Sequence, residues 1–494
     1  MGFCRWIWDS VDVANNQHQQ RLLMSYSPQG KMRQMRRLRF CVVALVVMLV
    51  TYWFIFGDED SVTTRSSPVT PPEWAEMCEF LERKWQGSEG QIADTGFRLR
   101  GIAIGFRHGE RSPLITTYDR EGCLPFREED RKDFQQYRSL VSSDDFQFFL
   151  RHDKMFENFA FAPSHSECSP GQMTAEGALQ HVKLGNYMRK KYSSSSIFAP
   201  ESRLNVFVTS SPFNRTYQSA IAFTSSFLYP LRVTIPQVFI RASNFTFMCT
   251  SRDCQCYPAK QWRLQYEEEH AQYFRERSPE HLRVIAAALK THPNFNKTID
   301  PFQMIDVALG SYICRRRALP CFGKGNCLDY GFMSELVKET TIRGQVMYDE
   351  QSRYIAQKLQ LVEAYGVLYH IVEAVEKLRR FAHTNIIQVF SGHDVMLAPL
   401  LRVMGVPFVD PPHYASHIVI EFYEPIISSS AKDPIHLRFI YNGVDITNSI
   451  SFCESHTKEA GLCPAQQLEE FVQKRIFSLL GVSSLRDICD IAAQ

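Results

Sequence analysis

The chain has 494 residues, of which 45% are hydrophobic, and its formal net charge is +2. This length favours one large domain with insertions, or two to three domains. The near-neutral charge argues against a nucleic-acid-binding protein and against a protein that coats polyanions in general.

The first predicted element is the apolar run Phe40–Phe56, which contains no charged residue. A helix of that length spans about 25 Å, enough for a thin bilayer. Basic residues precede the run and acidic residues follow it: Lys31, Arg33, Arg36, Arg37 and Arg39, then Asp58, Glu59 and Asp60. This asymmetry predicts a single-pass type II signal anchor, with residues 1–39 in the cytoplasm and the remainder in the lumen. A cleaved signal peptide is the alternative.

Residues 57–72 are predicted to be a stem, because Ser, Thr and Pro dominate Ser61–Pro72 and cannot build a core. The folded lumenal domain is then expected over 73–494. Three glycosylation sequons fall in this part, at Asn214, Asn244 and Asn296. The first of them lies beside a candidate site residue, which argues against its use.

Twelve cysteines follow the apolar run, and an even number in an oxidising compartment predicts disulfides. Cys453 and Cys463 are close enough in sequence to form a local loop. Zinc binding is the alternative for Cys254 with Cys256 and for Cys321 with Cys327, although neither spacing matches a common zinc pattern.

Strands and helices are predicted to alternate along the folded part. The elements are a buried strand Leu99–Phe106, a helix capped by Thr174 that runs to Tyr192, a strand Asn205–Thr209, an amphipathic helix Val367–Ala382, and strands Asn385–Phe390, His417–Tyr423 and Leu437–Tyr441. This alternation predicts an α/β core with a mostly parallel sheet and helices on both faces. The cysteine-rich segment around 230–349 is expected to be a cap or insertion.

Two polar segments directly follow predicted strands, Arg107–Pro113 and Ser391–Asp394. Ligands of open α/β sheets bind outside the carboxyl ends of the strands, so these segments are expected to converge. Arginine forks match phosphate geometry, and a neutral imidazole between them can attack phosphorus. The structural alternatives are ion-paired arginines, a packed histidine and turn residues. The separate run Arg315–Arg317 is expected to be a solvated, disulfide-flanked face, with binding of an acidic or sulfated glycan as the alternative.

A phosphomonoester would require a nucleophile, cations for the phosphoryl oxygens and a proton for the leaving oxygen. His108 is the predicted nucleophile and Asp394 the predicted proton donor. The predicted phosphate-binding side chains are Arg107, Arg111, Arg215 and His393. No metal or other cofactor is expected, because side chains supply the positive charge.

These motifs resemble the histidine acid phosphatase family. The likeness rests on Arg107-His108-Gly109-x-Arg111-x-Pro113, on Gly171–Thr174 with Gln180, and on Ser391-Gly392-His393-Asp394. The resemblance implies an α/β core with an α-rich cap, a phosphohistidine intermediate, no metal, and the six roles given above. Asn214 stands before Arg215, where the family usually has an acidic residue.

Within the family, the anchor and the cysteine pattern most resemble members that act on the glycosaminoglycan–protein linkage region. That likeness implies an enzyme in the Golgi membrane whose substrate is the 2-phosphate of xylose in the proteoglycan linker. A broad acid phosphatase or a lysophospholipid phosphatase is the alternative activity. A non-catalytic Golgi protein that binds glycosyltransferases is the alternative of a different class.

Overall fold

A computed structural model describes residues 74, 77–78, 87–93, 96–114, 131–164, 169–243, 256–277, 301–322, 326–338, 354–406, 412–426, 435–454 and 460–489. All of them lie in one compact unit that spans 62–494. The predicted cytoplasmic tail, the signal anchor Phe40–Phe56 and the stem 57–72 lie outside the described residues, and so do Asn244 and Asn296. No helix within the described ranges is long and apolar enough to cross a membrane.

The described strands include the five predicted ones, each of which begins and ends within two residues of its predicted position, and six others. They are β1 (Phe97–Arg107), β2 (Leu150–His152), β3 (Arg203–Ser210), β4 (Val238–Ala242), β5 (Cys321–Phe322), β6 (Asn326–Cys327), β7 (Thr384–Gly392), β8 (His417–Pro425), β9 (His436–Tyr441), β10 (Val444–Asp445) and β11 (Cys463–Pro464). Nine of these described strands form the central sheet in the order β10–β9–β8–β1–β7–β3–β4–β2, with β11 also paired to β9, whereas β5 and β6 form a separate hairpin.

The helices are longer on average than the strands. They are α1 (Arg131–Val141), α2 (Asp144–Phe149), α3 (Ala175–Tyr192), α4 (Asn214–Phe227), α5 (Tyr257–Arg277), α6 (Pro301–Val307), α7 (Tyr354–Arg380), α8 (Asp394–Val403), α9 (Ala465–Glu470), α10 (Ile476–Leu480) and α11 (Arg486–Cys489). The predicted cap of α3 is confirmed, because the Thr174 side chain accepts a hydrogen bond from the Gly177 amide. π-Helical turns occupy Ala308–Ile313 and Phe471–Arg475.

The sheet is mixed, so the prediction of a mostly parallel sheet was wrong. Strands β2, β4, β3, β7 and β1 pair in parallel, whereas β8 to β11 add four antiparallel pairings. For β8–β9 and β9–β10 the physical reason is that connections of ten and two residues are too short for the crossover that a parallel pair needs. The link from β9 to β10 is the two-residue turn Asn442-Gly443, in which both φ angles are positive, at 49° and 83°.

Helices cover both faces of the sheet, as the sequence predicted. Side chains of β7 alternate between the two sides, because successive residues of a strand point to opposite faces. Ile386 and Phe390 join an apolar core with α7 and α8. Ile387 and Val389 join the other core, with α1, α3 and α4.

The segment assigned to an insertion, 230–349, contains part of the central sheet, because β4 pairs in parallel with both β3 and β2. The described residues after β4 are mainly helical. They comprise α5, α6, the π-helical turn, the β5–β6 hairpin and a helix over 330–338. A third apolar cluster holds α6 and this last helix together around Trp74 and Met304.

Disulfides connect the insertion to the rest of the domain. Among the described residues the pairs are Cys78–Cys314, Cys256–Cys489, Cys321–Cys327 and Cys453–Cys463. The predicted Cys453–Cys463 loop is therefore confirmed. Cys256, Cys321 and Cys327 are consumed in disulfides, which excludes them as the thiolate zinc ligands of the alternative interpretation.

Candidate active site

The two polar segments meet at the carboxyl edge of the parallel strands. Arg107, at the end of β1, lies opposite Gly392, at the end of β7. Ser391 in turn lies opposite Ser210, the last residue of β3. Parallel pairing therefore places three loops side by side: 107–114 after β1, 211–215 after β3, and 392–394 after β7.

His108 lies in the middle of this edge and is 2% exposed. Its Nδ1 atom is 2.8 Å from the carbonyl oxygen of Gly109. A carbonyl can only accept, so Nδ1 carries the proton and Nε2 keeps its lone pair. Glycine at 109 permits close packing on α3, since a Cβ there would lie 2.1 Å from the carbonyl oxygen of Gly177.

The surroundings of His108 keep its imidazole neutral. Burial lowers the pKa of His108 well below its usual 6.5, and the positive charges of Arg215 and Arg107 lower it further. A neutral ring with an unprotonated Nε2 is the form that can act as a nucleophile. The hydrogen bond at Nδ1 and the lowered pKa of His108 are therefore compatible with its predicted role as nucleophile.

The charges of three arginines, Arg107, Arg111 and Arg215, act on His108. The Nε atoms of Arg107, Arg111 and Arg215 are all buried, and none has a hydrogen-bond partner among the described residues. Buried donors without partners are rare in folded proteins, because each costs desolvation free energy. Three such donors around one imidazole therefore indicate a site for an anion with several acceptor oxygens, such as a phosphoryl group.

Contacts from neighbouring segments hold Arg107. Its Nη1 donates to the carbonyl oxygen of Pro412 at 2.6 Å, and its Nη2 lies 3.3 Å from Oδ2 of Asp394. Its guanidinium packs over the ring of Tyr414 at 4.5 Å. Arg215 packs similarly over Phe213, at 4.6 Å. Burial and the charge of Arg111 lower the pKa of Arg215 to about 10, so it remains a cation at neutral pH.

His393 and Asp394 lie at the start of α8, across the site from β1. The ring of His393 stands edge-on to that of His108, with 5.3 Å between their centroids. Burial and then the charge of Arg215 lower the pKa of His393 well below 6.5. Asp394 accepts a hydrogen bond from the Val395 amide at 2.9 Å, and its side chain is 39% exposed.

The carboxyl group of Asp394 is ionised while the site is empty. Burial opposes its ionisation, but Arg107, Arg111 and His393 favour the charged form and bring the pKa of Asp394 to about 2. A bound phosphate would offset the charge of these arginines and raise that pKa. Phosphate binding would therefore favour the protonated form that the predicted proton donor requires.

Sequence reasoning missed three residues at this site. Asp306 of α6 binds Arg111, with 2.7 Å between Oδ1 and Nη1. The Ser211 hydroxyl lies 2.8 Å from Nε2 of His393. Tyr414 is buried beside Arg107, and its hydroxyl has no partner among the described residues. Ser211 directly follows β3, which was predicted, and lies four residues before Arg215, whereas Asp306 and Tyr414 carry no sequence signal.

The expectation of a solvated Arg315–Arg317 face was wrong for Arg315. Its side chain is 5% exposed and lies 2.9 Å from Glu110 and 3.3 Å from Glu176. Arg317 donates to the carbonyl oxygen of Ser311 at 3.3 Å. Arg315 therefore binds the protein itself, because buried carboxylates require a paired cation, whereas Arg316 is exposed as expected.

Metal ligation has no support within the described part of the chain, which contains no group of three or more His, Cys, Asp or Glu side chains that could hold an ion. The prediction that catalysis requires no cofactor remains a prediction. The residues predicted from the sequence, His108, Arg107, Arg111, Arg215, His393 and Asp394, all lie at one edge of the sheet. Their individual roles also remain predictions.

Comparison with known families agrees with this geometry. Residues 98–317 match the histidine phosphatase superfamily, branch 2. The chain contains a histidine phosphatase domain. The predicted family is therefore confirmed. His393 and Asp394 lie beyond the matched range of this histidine phosphatase domain, and the sheet register brings them to it.

Named relatives align with most of the length of this chain. The Danio rerio protein named 2-phosphoxylose phosphatase 1 is 25% identical over 439 residues, which are 84% of this chain and 86% of that protein. The Homo sapiens protein of the same name is 24% identical over 428 residues, with coverage of 84% and 86%. The family and these relatives identify the chain as a phosphomonoesterase, as predicted.

A solved structure is also similar. Multiple inositol polyphosphate phosphatase of Bifidobacterium longum, in complex with inositol hexasulfate, superposes with a TM-score of 0.49 at 11% identity, over 84% of this chain and 97% of that one.

Proposed function

We propose that this phosphomonoesterase removes the 2-phosphate from xylose in the glycosaminoglycan–protein linkage region during proteoglycan biosynthesis. The observation that carries the proposal is the name of its relatives, 2-phosphoxylose phosphatase 1, over 84% of this chain and 86% of theirs. The site adds a second support, since the residues proposed as nucleophile, phosphate ligands and acid lie together at one edge of the sheet.

Binding is the first step of the proposed reaction. The phosphoryl oxygens take the buried Nε–H donors of Arg107, Arg111 and Arg215. The negative charge of the phosphate is then balanced by fixed cations whose Nε atoms are buried, and such interactions are stronger there than in bulk water.

Phosphoryl transfer then takes place in two steps, first to His108 and then to water. Nε2 of His108 attacks phosphorus and forms an N–P bond while the bond from phosphorus to the xylose O2 breaks. Asp394 gives its proton to that departing oxygen. Asp394 then takes a proton from water, whose oxygen attacks phosphorus, breaks the N–P bond and releases inorganic phosphate with a neutral His108.

We also propose that the enzyme acts in the Golgi lumen, held in the membrane by Phe40–Phe56 as a single-pass type II protein. The charge asymmetry around this run supports that orientation. The four described disulfides support an oxidising compartment. Golgi glycosyltransferases that extend the linker are the proposed partners.

The test is phosphate release by the full-length chain from a phosphoxylosyl linker glycopeptide, an aryl phosphate and a lysophosphatidic acid. We expect kcat/KM for the glycopeptide to exceed the other two by about 100-fold, roughly the discrimination that about 3 kcal/mol of extra contacts provides. His108→Ala serves as the inactive control.

Each outcome of this comparison has a clear meaning. Equal turnover of all three esters would keep the phosphatase chemistry and refute the xylose assignment. Preference for the lipid would do the same in favour of a lysophospholipid phosphatase. No turnover of any ester by a folded protein would leave the glycosyltransferase-binding alternative.

A further inference from the structure

Two ion pairs connect the insertion to the loop that carries the proposed nucleophile. The insertion supplies the acid in one pair and the base in the other. We call Arg107–Leu114 the catalytic loop and residues 301–317 the gripping segment. Asp306 of the gripping segment pairs with Arg111 of the loop. Arg315 of the gripping segment pairs with Glu110, the preceding residue of the loop. Glu110 and Arg111, which are adjacent in the catalytic loop, therefore each pair with an oppositely charged residue of the same gripping segment.

The hydrogen bonds of Arg111 divide its guanidinium into two sides. Nη1 donates to the carbonyl oxygen of Ser112 at 2.9 Å and lies 2.7 Å from Oδ1 of Asp306, which uses both of its protons. Nε is buried and has no partner among the described residues. The Nε–Nη2 edge is thus the side left for a bidentate bond to an oxyanion.

Asp306 is itself held in place by the catalytic loop. Its second carboxylate oxygen accepts a hydrogen bond from the Leu114 amide at 2.7 Å. The π-helical turn that follows packs directly on the loop, since a Cβ on Gly310 would lie 2.9 Å from Cδ of Pro113. One carboxylate thereby joins the arginine to the backbone three residues further along the loop.

The second ion pair and a disulfide keep the gripping segment in register. Glu110 is fully buried and also accepts a hydrogen bond from the Thr174 hydroxyl at 3.0 Å. Cys314, next to Arg315, is bonded to Cys78. The segment that presents Asp306 is therefore fixed at its far end as well.

We propose that Asp306 is a positioning residue for the phosphatase reaction, which holds Nη1 of Arg111 so that the Nε–Nη2 edge faces the phosphoryl group. Asp306 does not touch the substrate and acts only through Arg111. This inference rests on the phosphomonoesterase chemistry and not on the xylose assignment. Turnover of an aryl phosphate by the wild-type chain therefore tests the chemistry separately.

The test compares Asp306→Ala with the wild-type full-length chain, using an aryl phosphate as substrate and inorganic phosphate as competitive inhibitor. We expect KM and the inhibition constant for phosphate to rise about tenfold, because one charge-assisted hydrogen bond that orients the fork is lost. Asp329→Ala is the matched control, since Asp329 also accepts a backbone N–H at 2.7 Å within the insertion but is exposed. An inhibition constant that changes equally little in both variants would overturn the proposal.

A double-mutant cycle separates positioning from a general effect on the fold. In an Arg111→Lys background the fork is absent, so Asp306→Ala should add less than about a twofold further change. If the two substitutions acted independently, so that their effects on the inhibition constant multiplied, the proposal would be overturned.

Asp306→Asn provides an isosteric variant in case the alanine variant does not fold. Positioning predicts that the inhibition constant for phosphate rises, because a neutral amide holds the guanidinium less firmly. Loss of a negative charge near the phosphate predicts by Coulomb's law alone that this constant falls. A fall or no change would therefore overturn the proposal.

Discussion

The Ser211 hydroxyl fixes the proton on His393. Thr216 Oγ1 lies 2.8 Å from the carbonyl oxygen of Ser211 and 3.0 Å from that of Phe213, so its own proton points to carbonyls. Ser211 donates to Thr216 Oγ1 at 2.9 Å and offers a lone pair to Nε2 of His393 at 2.8 Å. Nε2 therefore carries a proton, and Nδ1 is unprotonated while the ring is neutral.

His393 should consequently take up a proton when phosphate binds. Its pKa is held well below 6.5 first by burial and then by Arg215, and a bound dianion offsets that charge and favours the imidazolium. Calorimetric titration with inorganic phosphate at pH 6, in buffers of different ionisation enthalpy, measures the uptake. We expect the wild-type chain to take up more protons on phosphate binding than His393→Asn does. Equal uptake would show that His393 stays neutral.

Ser211→Ala should weaken phosphate binding, because the Ser211 hydroxyl is the partner of Nε2 of His393. The substitution removes the acceptor of the Nε2 proton of His393. A hydrogen bond from the imidazolium is stronger than one from the neutral ring, so the loss is larger in the phosphate-bound form by about 1 kcal/mol, or roughly a fivefold to tenfold rise in the inhibition constant for phosphate. Ser210→Ala is the matched control, because the Ser210 hydroxyl is equally buried but donates to a backbone carbonyl. The same change in both variants would mean that hydroxyl loss in this strand end acts through packing.

His108→Ala should lower kcat by at least about 10³-fold without loss of folding, because the N–P bond cannot form. His152→Ala is a close control. Its Nδ1 also faces the carbonyl oxygen of the next residue, at 3.2 Å, but it lies on β2 outside the site. Labelled phosphate should be trapped on the wild-type chain and on His152→Ala after rapid quenching, but not on His108→Ala. A labelled His108→Ala would assign the nucleophile elsewhere.

The positions of most site residues could be predicted from sequence because each adjoins a buried strand. Leu99–Phe106 was recognisable from its apolar run, and the following motif then had to lie at a strand end. Asp306 had no such signal, since 192 residues separate it from Leu114, its backbone partner. The error over Arg315 has the same origin: three consecutive arginines look solvated until the buried partners Glu110 and Glu176 are known.

Asp394→Asn should affect esters according to their leaving groups. An alkyl phosphate needs a proton on its departing oxygen, so we expect kcat to fall by about 10²-fold or more. An activated aryl phosphate leaves without that proton, so its kcat should fall less than about tenfold. Single-turnover measurements of phosphoenzyme formation would isolate the step. Equal losses for both esters would indicate that Asp394 serves only to hold Arg107, its partner at 3.3 Å.

Glu89 should make the stability of the domain depend on pH. Its buried carboxylate binds Nε2 of His417 at 2.8 Å and the hydroxyl of Tyr187 at 2.6 Å. Burial opposes ionisation, but His417 and Tyr187 outweigh it and lower the pKa of Glu89 from 4.5 to about 2. A carboxyl group with a lowered folded pKa stabilises the fold above pH 4.5, and this stabilisation is lost as pH falls toward 2.

Glu89→Gln should therefore lower the free energy of unfolding by about 3 kcal/mol at pH 7, since each pKa unit is worth 1.36 kcal/mol. Its deficit relative to the wild-type chain should shrink steadily between pH 4.5 and pH 2. Denaturant unfolding at pH 7 and at pH 3 measures both values, and Glu335→Gln, on the exposed side of the helix over 330–338, is the control. If the difference in unfolding free energy stayed constant with pH, Glu89 would contribute through packing and neutral hydrogen bonds. Its charge would then not stabilise the contact between Gly87–Ile92 and β8.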